Sequence, residues 1–319
     1  MQHINLSQNF IKSLRPLSTI KHLLTLDVSF NSIKKTFDFD PPENLLYVNY
    51  SCNEIKTMEN AGNNKYLQIL KLDGNKIIEI SGIEDLPNLQ YLSLKHNRIS
   101  FVSGLPLSIQ QLYLDNNQIS RLNVGFRGLM FLRVLDLSFN NIRSLKGLED
   151  AENLMVLNLT GNKISKVCSL EPIENLALLS DLNLNENPVQ SKELYRLRVA
   201  YRLPQLRSLD EETLSPEDKI KAENLYGLDL EDRKAIFEEI FGEGFEDRRI
   251  WKSEMLEEES QSEEEQDLFR VNLKKTGSSL SLSRAASRDS LSSADINAYS
   301  KRYVGELIEK VEKKTGVAF

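Results

Sequence analysis

A short alternating pattern of apolar and polar positions returns nine times in the first 190 residues. Each copy has two apolar residues one apart, then Asn three positions on, then a branched apolar residue two further. The copies are Ile4-Leu6-Asn9-Ile11, Leu26-Val28-Asn31-Ile33, Val48-Tyr50-Asn53-Ile55, Leu70-Leu72-Asn75-Ile77 and Leu92-Leu94-Asn97-Ile99. Then come Leu112-Leu114-Asn117-Ile119, Leu135-Leu137-Asn140-Ile142, Leu157-Leu159-Asn162-Ile164 and Leu182-Leu184-Asn187-Val189. Successive asparagines stand 22, 22, 22, 22, 20, 23, 22 and 25 residues apart. A fixed period of this length marks a stacked repeat array.

The period-two alternation predicts a short strand in each copy, with both apolar side chains on one face and the residues around them on the other. One copy cannot bury its own apolar face, whereas stacked copies bury a shared one. The asparagine stands where the strand ends. Its amide carries donors and an acceptor, which can satisfy backbone groups of adjacent coils that would otherwise be buried unpaired. Asn9, Asn31, Asn53, Asn75, Asn97, Asn117, Asn140, Asn162 and Asn187 are therefore expected to form a structural ladder. Gly82, Gly104 and Gly147 fall where the chain turns towards the convex side. Nine strands at about 4.8 Å each give a concave wall roughly 40 Å long.

The repeats resemble leucine-rich repeats of the 22-residue kind found in regulatory subunit 7 of protein phosphatase 1. Asn187-Pro188, Tyr195-Arg196 and Leu203-Pro204-Gln205-Leu206-Arg207-Ser208-Leu209-Asp210 are similar to the C-terminal cap of that family. Over residues 1–240 the chain also resembles ciliary and flagellar repeat proteins: the repeat arm of the leucine-rich repeat and guanylate kinase domain-containing protein, and the radial-spoke repeat proteins. Pro41-Pro42-Glu43-Asn44-Leu45, Leu70-Lys71-Leu72-Asp73-Gly74-Asn75 and Leu92-Ser93-Leu94-Lys95-His96-Asn97 carry that likeness. The implied fold is α/β, a leucine-rich repeat solenoid with parallel strands on the concave face, short helical or 3-10 turns on the convex face, a C-terminal helical cap and a disordered tail. Residues 1–190 read as repeats and 191–251 as cap and helical lid. Met1 already lies inside the first repeat, so either a partner covering that end or a longer upstream chain is expected.

Ser215-Pro216-Glu217-Asp218 supplies a hydroxyl cap, a proline in the first turn and acids at the positive end of a helix dipole. A helix running to about Tyr226 follows, and a second is expected near 230–241. Residues 252–294 are acidic and then serine-rich, which predicts a disordered linker. Ser260 and Ser262, each with Glu three residues on, and Ser287, with Arg284 three before, match kinase-substrate patterns. Ile296, Tyr299, Tyr303, Val304, Leu307, Ile308 and Val311 form an apolar stripe at helical spacing, so 295–314 reads as an amphipathic helix able to meet a second protein. Residues 315–319 would be a free C-terminus, whose Val317-Ala318-Phe319 fits PDZ recognition weakly.

Candidate chemistry is sparse. His3, His22 and His96 lack metal-ligand spacing. Cys52 and His96 share a repeat position but stand two coils apart, beyond the reach of a nucleophile and base. A phosphate-binding G-x-x-x-x-G-K run and a G-x-S-x-G elbow are both missing from the sequence. The negative charge behind the net −7 lies in 211–268, and residues 1–210 and 269–319 carry only small basic surpluses, which argues against general nucleic-acid binding. Two cysteines and the lack of long apolar runs point to a reducing cytoplasmic compartment, no membrane insertion and no cofactor.

The expectation is a non-catalytic scaffold, monomeric or in a hetero-complex, that binds a protein on its concave face. Tyr47, Ile69, Tyr91 and Tyr113 project outward from consecutive coils beside Lys71, Lys95 and His96, ringed by Asp27, Asp73, Asp115 and Asp136. Aromatic anchors inside a polar rim have the character of an interface core. Phe30 and Phe139 extend it at the strand ends. The ciliary resemblance implies a structural adaptor of the axoneme; the repeat type implies, alternatively, a regulatory subunit binding protein phosphatase 1. The only tryptophan, Trp251, lies outside the repeats, which weakens the second reading.

Overall fold

The computed structural model describes residues 2–58, 61 and 64–226. Nearly all of these fall in one compact unit that includes Met1–Lys219; Ile220 to Tyr226 open a second. The helix expected near 230–241, the 252–294 linker with Ser260, Ser262 and Ser287, the 295–314 helix and the 315–319 terminus lie outside the described residues.

Nine three-residue strands stack in chain order: β1 (His3–Asn5), β2 (Thr25–Asp27), β3 (Tyr47–Asn49), β4 (Ile69–Lys71), β5 (Tyr91–Ser93), β6 (Gln111–Tyr113), β7 (Val134–Asp136), β8 (Val156–Asn158) and β9 (Asp181–Asn183). All pair in parallel and in strict register, so Leu26, Val48, Leu70, Leu92, Leu112, Leu135, Leu157 and Leu182 form one column. That column and the next, from Val28 to Leu184, are buried throughout. The convex side is less helical than expected. 3-10 turns occur at Arg15–Thr19, Asn123–Phe126 and Val167–Ile173, while most other described coils cross in tight turns or extended chain.

Each ladder asparagine from Asn31 on closes a rung to the coil before it. Asn97 shows the pattern. Its Nδ2 donates to the carbonyls of Leu72 (2.9 Å), Leu94 (3.0 Å) and Lys95 (3.1 Å), and its Oδ1 accepts from the Ile77 amide at 3.0 Å. The Asn9 side chain donates within its own turn, to the carbonyls of Leu6 and Ser7. The residue preceding each of the nine asparagines is left-handed: Gln8, Phe30, Cys52, Gly74, His96, Asn116, Phe139, Gly161 and Glu186 all have φ between 51° and 68°. Only two of these are glycine.

The cap continues the sheet. β10 (Ser208–Leu209) pairs in parallel with β9, and β11 (Glu212–Thr213) turns back antiparallel to close it, so the sheet has eleven strands where the repeats alone predict nine. Between β9 and β10, α1 (Tyr195–Arg202) lays Val199 and Ala200 into the core. Asp210 knots the cap together. It accepts from the Leu184 amide, the Gln190 side chain and the Tyr195 hydroxyl.

α2 (Pro216–Tyr226) begins where the sequence places it. The Ser215 hydroxyl accepts from the Asp218 amide at 3.0 Å, and the Asp218 carboxylate accepts from the Ser215 amide at 3.1 Å. This is a reciprocal capping box with Asp in the acidic position. Ser215→Ala is expected to lower stability by about 1 kcal/mol, read as a shift of the urea midpoint with unchanged slope.

Candidate functional site

Two columns on the concave face reveal where the repeat departs from its own rule. In most coils the residue between the two apolar positions is Asn or Asp, and its Oδ1 caps the strand end by accepting the amide two residues on. Asn5 takes Ser7, Asp27 takes Ser29, Asn49 takes Ser51, Asp136 takes Ser138, Asn158 takes Thr160 and Asn183 takes Asn185, at 2.9–3.1 Å. The bonds recur because a short carboxyl or amide group mimics a backbone turn. Asn49 and Asn158 also donate sideways to Asp27 and Asp136.

The three central coils break this pairing. They carry Lys71 with Asp73, Ser93 with Lys95, and Tyr113 with Asp115. Lysine has no acceptor with which to cap a turn, and the Tyr113 hydroxyl bonds to Gln111 instead. Asp73 supplies the missing acceptor for the next coil, taking the Ser93 hydroxyl at 2.5 Å and the Lys95 amide at 3.0 Å. Lys95 pairs with Asp115 at 3.2 Å and sits 4.6 Å from the Tyr113 ring centre; Lys71 lies 5.5 Å from that of Tyr47. Alternating charge thus replaces a local structural bond across β4, β5 and β6.

The aromatic reading of this centre needs correction. Tyr47, Ile69 and Tyr91 do occupy one column of the concave face, but they are only 4%, 1% and 9% exposed. With Leu46 they make a buried cluster against which Tyr113 packs, the Tyr91 and Tyr113 ring centres being 5.3 Å apart. Large side chains at the same register in adjacent strands, about 4.8 Å apart, fill each other's space. These three are a floor, not free anchors. The partly exposed groups are Lys71, Asp73, Lys95 and Tyr113, with His96 exposed at its left-handed position. Asp115 is nearly covered and tied to Lys95, and Asp27 and Asp136 are engaged by Ser29 and Ser138. Phe30 and Phe139 are half-exposed at the strand-end rim.

The electrostatics of the centre follow from its poor solvation. Burial pushes the Lys71 ammonium below its usual range, against the opposing pull of Asp73 and Asp27. Burial pushes the Asp73 carboxyl up, although Ser93 and Lys95 hold it down in part. Tyr113 rises to about 12, through burial first and then through Asp136 and Asp115. Both members of the Lys71–Asp73 pair are therefore shifted towards neutrality. A ligand offering matched charge or hydrogen bonds would meet groups that water serves badly.

Among the described residues no group of three or more His, Cys, Asp or Glu side chains is arranged to hold a metal ion, and no helix is long and apolar enough to cross a membrane. Cys52, whose thiol is pushed up by burial and by Asp73, lies over Gly74. Sequence reading missed the Asn/Asp–Ser pairing. The signal was present in Ser7, Ser29, Ser51, Ser138 and Thr160, two residues past the column it did examine.

Two family models match: "Leucine-rich repeat" over residues 108–235 and "Leucine Rich repeats (2 copies)" over 65–107. The chain is 35% identical over 124 residues to U2 small nuclear ribonucleoprotein A′ of Emericella nidulans, covering 39% of this chain and 44% of that protein. It is 31% identical over 114 residues to dynein axonemal assembly factor 11 of Trypanosoma brucei brucei, covering 36% and 30%. The chain thus spans less than half the length of these curated relatives. Among solved structures it is similar to a leucine-rich repeat protein of Leptospira interrogans, with 26% identity, a TM-score of 0.54 and coverage of 65% and 54%. A TLR13–ssRNA13 complex gives 26% identity, a TM-score of 0.53 and coverage of 65% and 32%. Nine stacked strands in register, an asparagine ladder and both family matches make this chain a leucine-rich repeat protein, a fold that serves as a scaffold for protein interaction.

Proposed function

We propose that the chain is a structural adaptor of the cilium or flagellum axoneme that holds a protein partner on the centre of its concave face, through Lys71, Asp73, Lys95, His96 and Tyr113. One observation carries the site: three adjacent coils lack the Asn or Asp that caps the strand end in six others, and carry Lys71, Ser93 and Tyr113 there instead, with only the Lys95 amide recapped, by Asp73 from the coil before. Departures from a local rule concentrate at functional places. The axonemal setting is supported by the likeness to the dynein axonemal assembly factor. A protein partner fits better than a nucleic acid, because Asp27, Asp73, Asp115 and Asp136 run along the face and would repel phosphates. Residues 295–314 supply an apolar stripe for a second protein.

A second reading, a scaffold within a ribonucleoprotein assembled through protein contacts, has the likeness to U2 small nuclear ribonucleoprotein A′ behind it. The phosphatase-regulator reading has only the repeat length and the cap motif behind it.

The test rewrites the centre in the repeat's own vocabulary. Lys71→Asn and His96→Asn install residues that neighbouring coils use at the same positions, Asn49 and Asn116. The double variant should unfold within about 1 kcal/mol of the parent, since Asn tolerates the left-handed region and can accept the turn amide. Purification of tagged full-length chain from ciliated cells, with mass spectrometry, should recover axonemal proteins that the variant loses. Recovery of spliceosomal proteins or of phosphatase catalytic subunit instead, with the same sensitivity, would move the function to that class. Equal recovery by parent and variant would remove the central site.

A further inference from the structure

C-terminal to the central coils the concave face hollows into a groove of about 190 Å3. Val134 and Val156 form its floor, and Tyr113, Asp136, Asp181 and Glu211 stand around it. The carboxylates are already anchored by neutral donors. Asp136 accepts from the Ser138 amide and hydroxyl and from Asn158, Asp181 from the Ser180 hydroxyl, and Glu211 from Asn183. Such donors fix the carboxylates in place without cancelling their charge. Burial raises the proton affinity of both Asp136 and Asp181, with Lys95 and Arg207 opposing the rise only as minor influences. On the coil of Asp136, Phe139 holds a half-exposed ring at φ 53°, a region that disfavours a bulky side chain.

Resting on the reading that this face holds a protein partner, we infer that the groove takes an arginine-bearing, otherwise apolar stretch of that partner. The volume lies below the roughly 300 Å3 at which small-molecule pockets begin, and it suits one or two side chains of a peptide. An arginine stem lies along the two valines while its guanidinium donates to the preset carboxylates in the fork geometry that planar acids favour. The guanidinium plane can also stack on the Tyr113 ring. Apolar neighbours of the arginine reach Phe139, which lies outside the groove's lining on the coil of Asp136. A phosphate or an acidic peptide is excluded by the same three carboxylates.

Fluorescence anisotropy of the full-length chain with a fluorescein-labelled peptide of alternating arginine and leucine, at about 150 mM salt, tests this. Asp136→Asn with Asp181→Asn keeps the shape and the bonds from Ser138 and Ser180, giving up only the Asn158 bond to the second Asp136 oxygen, and should weaken binding about tenfold or more. Glu149→Gln with Asp150→Asn removes equal charge from the exposed loop between β7 and β8, and should change it less than about twofold. Equal weakening by both pairs would mean charge attraction without a site, and no weakening by the first pair would mean no site at all; either overturns the inference. Changing Lys301, Arg302, Lys310, Lys313 and Lys314 to Gln in the full chain checks the occupant. A roughly tenfold gain in peptide affinity would show that this chain's own basic segment fills the groove, and the external partner would be wrong. The central site is separable. If Lys71→Asn with His96→Asn abolishes partner capture while Asp136→Asn with Asp181→Asn alters neither capture nor peptide binding, the central site stands and the groove falls.

Discussion

Replacing Asn97 by alanine is expected to destabilise the solenoid by about 2–4 kcal/mol, whereas the same change at Asn9 should cost less than about 1 kcal/mol. The chemistry of the residue is identical; the surroundings differ. Asn97 is buried, and its loss strands the Ile77 amide inside the core, where water cannot replace the missing partner, while the Leu72 and Leu94 carbonyls keep only the bonds from Asn75 and Asn117. Each orphaned buried group costs about 1–3 kcal/mol. Asn9 is exposed and its side chain donates to carbonyls of its own turn, which solvent can reach. In an array held together by nearest-neighbour contacts, a broken rung in the middle also loosens the coils on either side. Urea unfolding followed by far-ultraviolet circular dichroism should show a lower midpoint and a shallower transition for Asn97→Ala only. Similar midpoints for the two variants would mean that leucine packing alone joins the coils.

The same contrast explains what could be read in the sequence. The strands, their register and the ladder were legible because a period of about 22 residues repeats a demand that one residue type meets best: a buried amide with both donor and acceptor. The start of α2 was legible because Ser215, Pro216 and Asp218 act within one turn. The state of the concave centre was not. Alternation says which face Tyr47, Ile69 and Tyr91 point to, but their exposure depends on what lies beside them, and three large neighbours in register cover one another. The left-handed column was hidden for a different reason. Phe30, Cys52, His96 and Phe139 occupy it although none of them prefers that region, so ladder geometry overrides local preference there. The tenth and eleventh strands are two residues each, too short for any periodicity to announce.

That left-handed column leads to the second large effect. Gly161→Ala is expected to cost about 2 kcal/mol, and about half of that should vanish when Phe139 is also changed to alanine. Two separate terms are involved. Gly161 has φ 68°, where a Cβ costs an ordinary L-residue about 1 kcal/mol. Its added Cβ would also stand 2.6 Å from Cδ1 and 2.8 Å from Cε1 of the Phe139 ring, which lies across the glycine from the preceding coil. The ring must swing away and give up that contact. Gly128 provides the comparison: at φ 74° its Cβ would meet only Leu107 Cδ2, at an ordinary 3.5 Å, so Gly128→Ala should show the backbone term alone, about 1 kcal/mol. A double-mutant cycle on Gly161 and Phe139 should therefore return a coupling of about 1 kcal/mol, with Gly161→Ala in the Phe139→Ala background matching Gly128→Ala in the parent. A coupling near zero would mean that the ring does not rest on the glycine. Phe139 would then be held by its backbone alone, and its exposed face would be wider than the packing over Gly161 allows.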